Sequence, residues 1–147
     1  MANQLIKFLL TNDKTLYRGD LDDAIYNLSR AGSGAVGELA EDYYANRFNT
    51  TKMTKNFKGY DLLNGYEIKT CRRGENRSTA TINGLKHKSD AERIVILWDD
   101  AKFKMIKELI VTPDELRHVD GTLRNTVDIT ITFEKRFADR IKIVAEY

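Results

Sequence analysis

The chain has 147 residues, with 24 lysines and arginines against 22 aspartates and glutamates, one cysteine and one proline. That length suits one domain able to bury a sizeable core. The single cysteine excludes a disulfide framework or a thiolate zinc site within one chain, and a net charge of +2 excludes a polybasic tail or an acidic solvating segment.

In chain order, residues 2–10 are expected to form a short helix with Leu5, Phe8 and Leu9 on one stripe. Asp20 caps a second helix, whose apolar positions Leu21, Ala24, Ile25 and Leu28 follow the i, i+3, i+4, i+7 pattern. Ala31-Gly32-Ser33-Gly34 ends it. A third helix opens at Ser33 or Gly34 and runs to about Phe48, facing the core with Val36, Leu39, Ala40, Tyr43 and Arg47 or Phe48. The apolar period then changes to two. Residues 57–63 and 66–71 read as strands around Asn64-Gly65, a strong hairpin signal. A short strand is expected over 78–82, followed by a loop with Asn83-Gly84.

The continuous apolar run over 93–98 suits a central strand buried on both faces. Asp99-Asp100-Ala101-Lys102 reads as a turn and 103–111 as the next strand. Thr112-Pro113-Asp114-Glu115 combines a cap, a first-position proline and a capping-box glutamate, which predicts a helix to about Val119. Val127, Ile129, Ile131 and Phe133 alternate with polar residues as in a half-buried strand. The tail 134–147 has two readings, strand-like at Ile141, Ile143 and Ala145 and helical over 137–140. The order predicts one α/β or α+β domain over 1–147, with a mixed sheet flanked by helices. The apolar runs are far below the ~20 residues that span a bilayer. The N-terminal segment lacks the basic start and small-residue cleavage site of a signal peptide, so a cytoplasmic protein with no membrane partner is expected.

Near neutrality conceals a segregation. Residues 18–42 carry six acids and two bases, residues 69–93 seven bases and three acids, and residues 47–58 four bases and no acid. A clustered basic middle third is the electrostatic footprint of a phosphate-binding surface.

Between the basic stretches lie Asp61, Glu67 and Lys69, in a region otherwise patterned as strand. Glu67 and Lys69 are two apart and point to one face. A two-residue Asn64-Gly65 loop pairs Asp61 with Ile68. A three-residue loop, with Gly65 left-handed in a bulge, puts Asp61 opposite Glu67 on the face of Lys69. Asn-Gly suits both loops. In the second arrangement two carboxylates and an ammonium stand ~5 Å apart across the pair. Such carboxylates repel unless a cation lies between them, and a hard divalent ion with oxygen ligands is the natural neutraliser. The neighbouring lysine then orients or deprotonates an attacking water, and phosphodiester hydrolysis is the chemistry such a site serves.

The pattern Asp61-x5-Glu67-x-Lys69 resembles the PD-(D/E)XK signature of restriction-endonuclease-like nucleases. The resemblance covers residues 33–118, and the small size is similar to type II restriction enzymes. Tyr60 stands where the motif name has proline, a position often without it. The resemblance implies a restriction-endonuclease-like core over 33–118. It implies Asp61, Glu67 and the main-chain carbonyl of Ile68 as ligands of Mg²⁺, with Mn²⁺ as a substitute. Lys69 then positions the nucleophilic water. Glu38, in the upstream helix and ahead of Glu41, is the favoured further carboxylate, supporting a second metal or orienting Lys69.

Arg72, Arg73, Arg77 and Lys58 are expected to contact the DNA backbone. Thr79, Thr81, Asn83, Lys86 and His87 are candidates for reading base edges. Cutting a duplex with one site per chain implies a homodimer, with residues 1–30 as interface or DNA clamp. A junction resolvase or repair nuclease uses the same residues. A non-catalytic nucleic-acid-binding module of the same fold predicts the loss of at least one of Asp61, Glu67 and Lys69, and an interaction domain built on the acidic helices at 20–42 has no need of the carboxylate pair. Cys71 reads as a small packing residue, and His118 as a helix C-terminal residue.

Overall fold

The computed structural model describes residues 33–54, 57–72, 80–88, 90–99, 105–118 and 120–146. The helices expected at 2–10 and 20–30 lie outside these residues. So does the segment 73–79, with Arg73, Arg77 and Thr79.

Helix α1 spans Ser33–Arg47. It buries Ala40, Tyr43 and Tyr44, the i, i+3, i+4 spacing that places side chains on one face. It closes through Asn49, whose φ of 51° is left-handed, and through the Thr50 N–H, which donates to the Ala45 carbonyl at 2.9 Å. The remaining elements are β1 (Tyr66–Arg72), β2 (Ala80–Ile82), β3 (Arg93–Asp99), β4 (Met105–Val111), a 3₁₀ turn (Pro113–Leu116), β5 (Val127–Ile129), α2 (Ile131–Arg136) and β6 (Lys142–Glu146). Four strands form a mixed sheet in the order β1-β3-β4-β6, with β1 parallel to β3 and the other pairs antiparallel. Strands β2 and β5 form a separate antiparallel ladder. The fold is α+β.

Strand β3 has Ile94, Val95, Ile96, Leu97 and Trp98 all buried, as the unbroken apolar run leads one to expect. Register assigns the faces of β1. Glu67, Lys69 and Cys71 pair with Ile94, Ile96 and Trp98, whereas Ile68 and Thr70 pair with Val95 and Leu97. The first face packs with Ala80, Ile82, Val127, Ile129 and Phe133 of the second layer, and Cys71 rests against that cluster as a packing residue. The second face carries α1: a Cβ on Gly37 would lie 3.9 Å from Thr70 Oγ1. Glu67 and Lys69 therefore leave β1 on the side away from α1.

Three expected elements differ. Residues 57–63 form no strand; only Leu62 bridges, to Lys52. The expected pairing is replaced by side-chain and turn bonds, described with the site below. The helix expected to reach Val119 stops as a 3₁₀ turn at Leu116. Arg117 is already extended, at φ −76° and ψ 153°, and it bridges to Leu123. His118 is thus not at a helix C-terminus: its N–H donates to Thr122 O at 2.8 Å. The strand expected through Phe133 ends at Ile129, because the Thr130 hydroxyl accepts the Phe133 N–H at 3.0 Å and starts α2. Phe133 and Phe137 then pack four residues apart, and Ile131 is left 62% exposed. The tail resolves as a turn over 137–140 followed by β6. The sheet thus draws on residues beyond 118. Among the described residues no helix is long and apolar enough to cross a membrane.

Candidate active site

The turn before β1 decides where Asp61 goes. Gly65 has φ +91°, Asn64 is not left-handed, and Gly65 N–H donates to Leu62 O at 2.8 Å. Both the Asp61 and Leu62 N–H groups donate to the Tyr66 carbonyl at 3.0 Å. This is the bulged three-residue loop, not the two-residue one. Strand β1 is a sheet edge here, and its Ile68 N–H is satisfied by Asp61 Oδ2 at 2.8 Å instead of by another strand. That bond fixes the Asp61 carboxylate beside Glu67 without a partner strand.

Glu67 is 2% exposed. Lys69 Nζ stands 3.3 Å from its Oε2 and Lys88 Nζ 3.4 Å from its Oε1. Oε1 is buried and makes no hydrogen bond, so Lys88 reaches it at ion-pair distance without a directed bond. Burial, and then the Asp61 carboxylate, push the Glu67 carboxyl up to about 7, against the pull of Lys69 and Lys88. Gly84, at a left-handed φ of +76°, lies beside the other ammonium, where a Cβ would stand 3.5 Å from Lys69 Nζ.

From the opposite side α1 brings Glu41. Burial and then the Asp61 carboxylate raise its carboxyl to about 7. Asp61 thus acts on both glutamates, its charge raising the carboxyls of Glu41 and Glu67. A cleft of about 280 Å³ opens beside it, lined by Glu38, Glu41, Lys52, Phe57, Tyr60 and Asp61 among others. Lys52 pairs with Asp42 at 3.1 Å. Burial works against its ammonium, but Asp42, Glu41 and Glu38 together hold its pKa above the usual lysine value.

The sequence pattern places Asp61, Glu67 and Lys69, and the fold brings all three together. Glu38 is exposed on the cleft wall, and Glu41, one turn later, is the residue that approaches Asp61. Glu41 is signalled only by its position on the border of the buried stripe Ala40–Tyr44. Lys88 has no spacing signal, since it reaches Glu67 from a segment with no regular secondary structure.

Lys58, Thr81, Asn83, Lys86 and His87 are exposed. Thr81 Oγ1 donates to Asp128 Oδ1 at 2.8 Å, and Asn83 Oδ1 accepts from Thr126 Oγ1 at 3.1 Å, so part of their bonding capacity is used within the protein.

Among the described residues no three His, Cys, Asp or Glu side chains are drawn into one ready metal cage. The donors instead form two overlapping carboxylate pairs about Asp61. They are hard oxygens, two of the three carboxyls are held above their usual pKa, and one buried oxygen has no hydrogen bond. This set fits a Mg²⁺-like ion, which commonly takes one or two carboxylates and completes its shell with water and substrate phosphate. No family model matches the chain, and neither the curated proteins nor the solved structures contain a significant match to it.

Proposed function

We propose that the chain is a Mg²⁺-dependent endonuclease of the PD-(D/E)XK type, hydrolysing phosphodiester bonds in DNA. The observation that carries this reading is the convergence of Asp61, Glu67 and Lys69 at one sheet edge, with Asp61 anchored to the Ile68 N–H and Glu67 buried against Lys69. The helix before the carboxylate pair and the parallel strand after Glu67-x-Lys69 agree with a restriction-endonuclease-like core.

Asp61, Glu67 and the main-chain carbonyl of Ile68 would hold the ion, with Glu41 next to them and Glu38 on the cleft wall. When bound, Mg²⁺ supplies positive charge for the oxygen that becomes negative as the phosphodiester is attacked. Asp61 keeps its orientation through the backbone bond to Ile68. Lys69 holds the nucleophilic water and favours its loss of a proton, and Glu67 keeps the ammonium in place at 3.3 Å. Lys58, with Arg72, Arg73 and Arg77, holds the duplex backbone, and Lys86 and His87 read base edges. Each site cuts one strand, so double-strand cleavage in the manner of a type II restriction enzyme requires a homodimer.

The test is conversion of supercoiled plasmid in Mg²⁺ and in EDTA. Wild type is expected to nick or linearise the plasmid only with the cation, and Asp61→Asn or Glu67→Gln to slow it at least about 100-fold. Cleavage of equal rate in EDTA, or by either variant, would contradict the assignment. Mapping product ends on defined linear and branched DNA then separates restriction-type recognition of a sequence from recognition of a junction.

A further inference from the structure

Glu67 is flanked by two ammonium groups, and they are anchored differently. Lys69 lies within β1, in register with Ile96 of β3, so the sheet fixes its origin. Lys88 ends the irregular segment 83–88, where its N–H donates to Leu85 O at 2.9 Å and its carbonyl accepts the Ala91 N–H at 3.1 Å. Leu85, fully buried, pins the segment from below. The directed bond of the Lys88 ammonium goes to the Lys58 carbonyl at 2.9 Å, not to Glu67. A single side chain, 16% exposed, thus joins the segment that leads into Asp61 with the carboxylate on β1.

We propose that Lys88 is the resident counter-ion of Glu67 Oε1. It is a positioning residue that ties the Asp61-bearing segment to β1 in the cation-free protein and yields Oε1 when a divalent cation binds. The inference rests on the nuclease reading above. A buried carboxylate oxygen with no hydrogen bond persists only beside a compensating charge. Lys88 provides that charge at 3.4 Å in a contact with no fixed direction, which a flexible four-carbon stem can leave at little cost. The bond to Lys58 O remains as an anchor when it does so. Lys88 shares its segment with the exposed Lys86 and His87.

The experiment is calorimetric titration with Ca²⁺ alone, together with thermal unfolding with and without Ca²⁺, for wild type, Lys88→Gln and Lys88→Arg. Gln keeps a donor for Lys58 O and removes the charge. Lys88→Gln is expected to bind Ca²⁺ about 30-fold more tightly, the size of removing one positive charge at contact distance from a divalent ion under water-like screening. Its midpoint is expected to fall without Ca²⁺, and Lys88→Arg is expected to keep wild-type affinity. If Lys88→Gln does not fold without the cation, its refolding on addition of Ca²⁺ supports the counter-ion role and failure to refold overturns it. Equal or weaker Ca²⁺ binding by a folded Lys88→Gln, with wild type binding normally, overturns the role of Lys88 alone. Absence of Ca²⁺ binding in every protein overturns this role and the metal-dependent reading together.

Discussion

Glu67 concentrates the conflict between burial and charge at this site. Its carboxyl is carried from 4.5 in the open chain to about 7 in the fold, first by burial and then by Asp61. A carboxyl raised on folding stabilises the protein below its unfolded pKa, and that contribution is lost as pH rises through the folded value. Without cation, stability is therefore expected to fall between about pH 4.5 and pH 7–8, by up to on the order of 3 kcal/mol for this group. Urea unfolding across that range checks it: Glu67→Gln should flatten the decline, and Mg²⁺ should restore stability at the alkaline end. At this scale the sequence is informative where local geometry alone decides. Strand alternation puts Glu67 and Lys69 on one face, and the Asn64-Gly65 turn limits Asp61 to two placements. It is silent on Lys88 and favours Glu38 where the fold brings Glu41 to Asp61, because those positions depend on how α1 and the 83–88 segment dock.

Two elements hold the carboxylates together, and each has a polar keystone. Helix α1 is fastened to β4 through Glu108, which is 2% exposed and accepts from the Tyr44 hydroxyl and, at 2.5 Å, from the Arg47 guanidinium. Burial and then Glu108 hold the Tyr44 hydroxyl well above its usual pKa, so it stays a donor. Glu108→Ala leaves a buried hydroxyl and a partly buried guanidinium without their acceptor. It is expected to cost about 3 kcal/mol in urea unfolding and to loosen the placement of Glu41. The second keystone is Gly65. A Cβ at its φ of +91° would be strained and would lie 2.8 Å from Glu92 Cγ, while Glu92 N–H donates to the Gly65 carbonyl. Gly65→Ala is expected to destabilise by about 1–2 kcal/mol, again read by urea unfolding.

Elements with a strong single cause were legible in the sequence, notably β3 from its unbroken apolar run; α1 was legible in its extent, but the stripe read from it omits the fully buried Tyr44 and includes the exposed Arg47. Those expected over 57–63, 112–119 and 127–133 were not. There, side-chain bonds from Asp61 and Thr130 and the bridge at Arg117 outweigh the local pattern.

For the whole molecule, the mixed sheet places α1 on one face and the β2–β5 layer on the other. The carboxylates meet at the edge strand β1 between them. Among the described residues, α1 supplies Glu38 and Glu41 to the cleft and Lys52 lines it, while Lys88 stands beside Glu67. If the basic residues face a duplex, affinity in Ca²⁺ is expected to fall steeply with added NaCl. Lys58→Ala should reduce the log–log slope by about 1, as measured by fluorescence anisotropy on a defined duplex. Residue patterning placed a helix before Asp61 and strands after it, but not the contact of Lys88 with Glu67, since no spacing in the chain encodes a contact made across two layers. The central claim is that Lys69 makes this carboxylate site hydrolytic. Plasmid cleavage in Mg²⁺ by wild type and Lys69→Ala, both shown to be folded and to bind DNA equally, tests it most directly. A loss of about 100-fold or more in the variant is the expected result, and equal rates would contradict it.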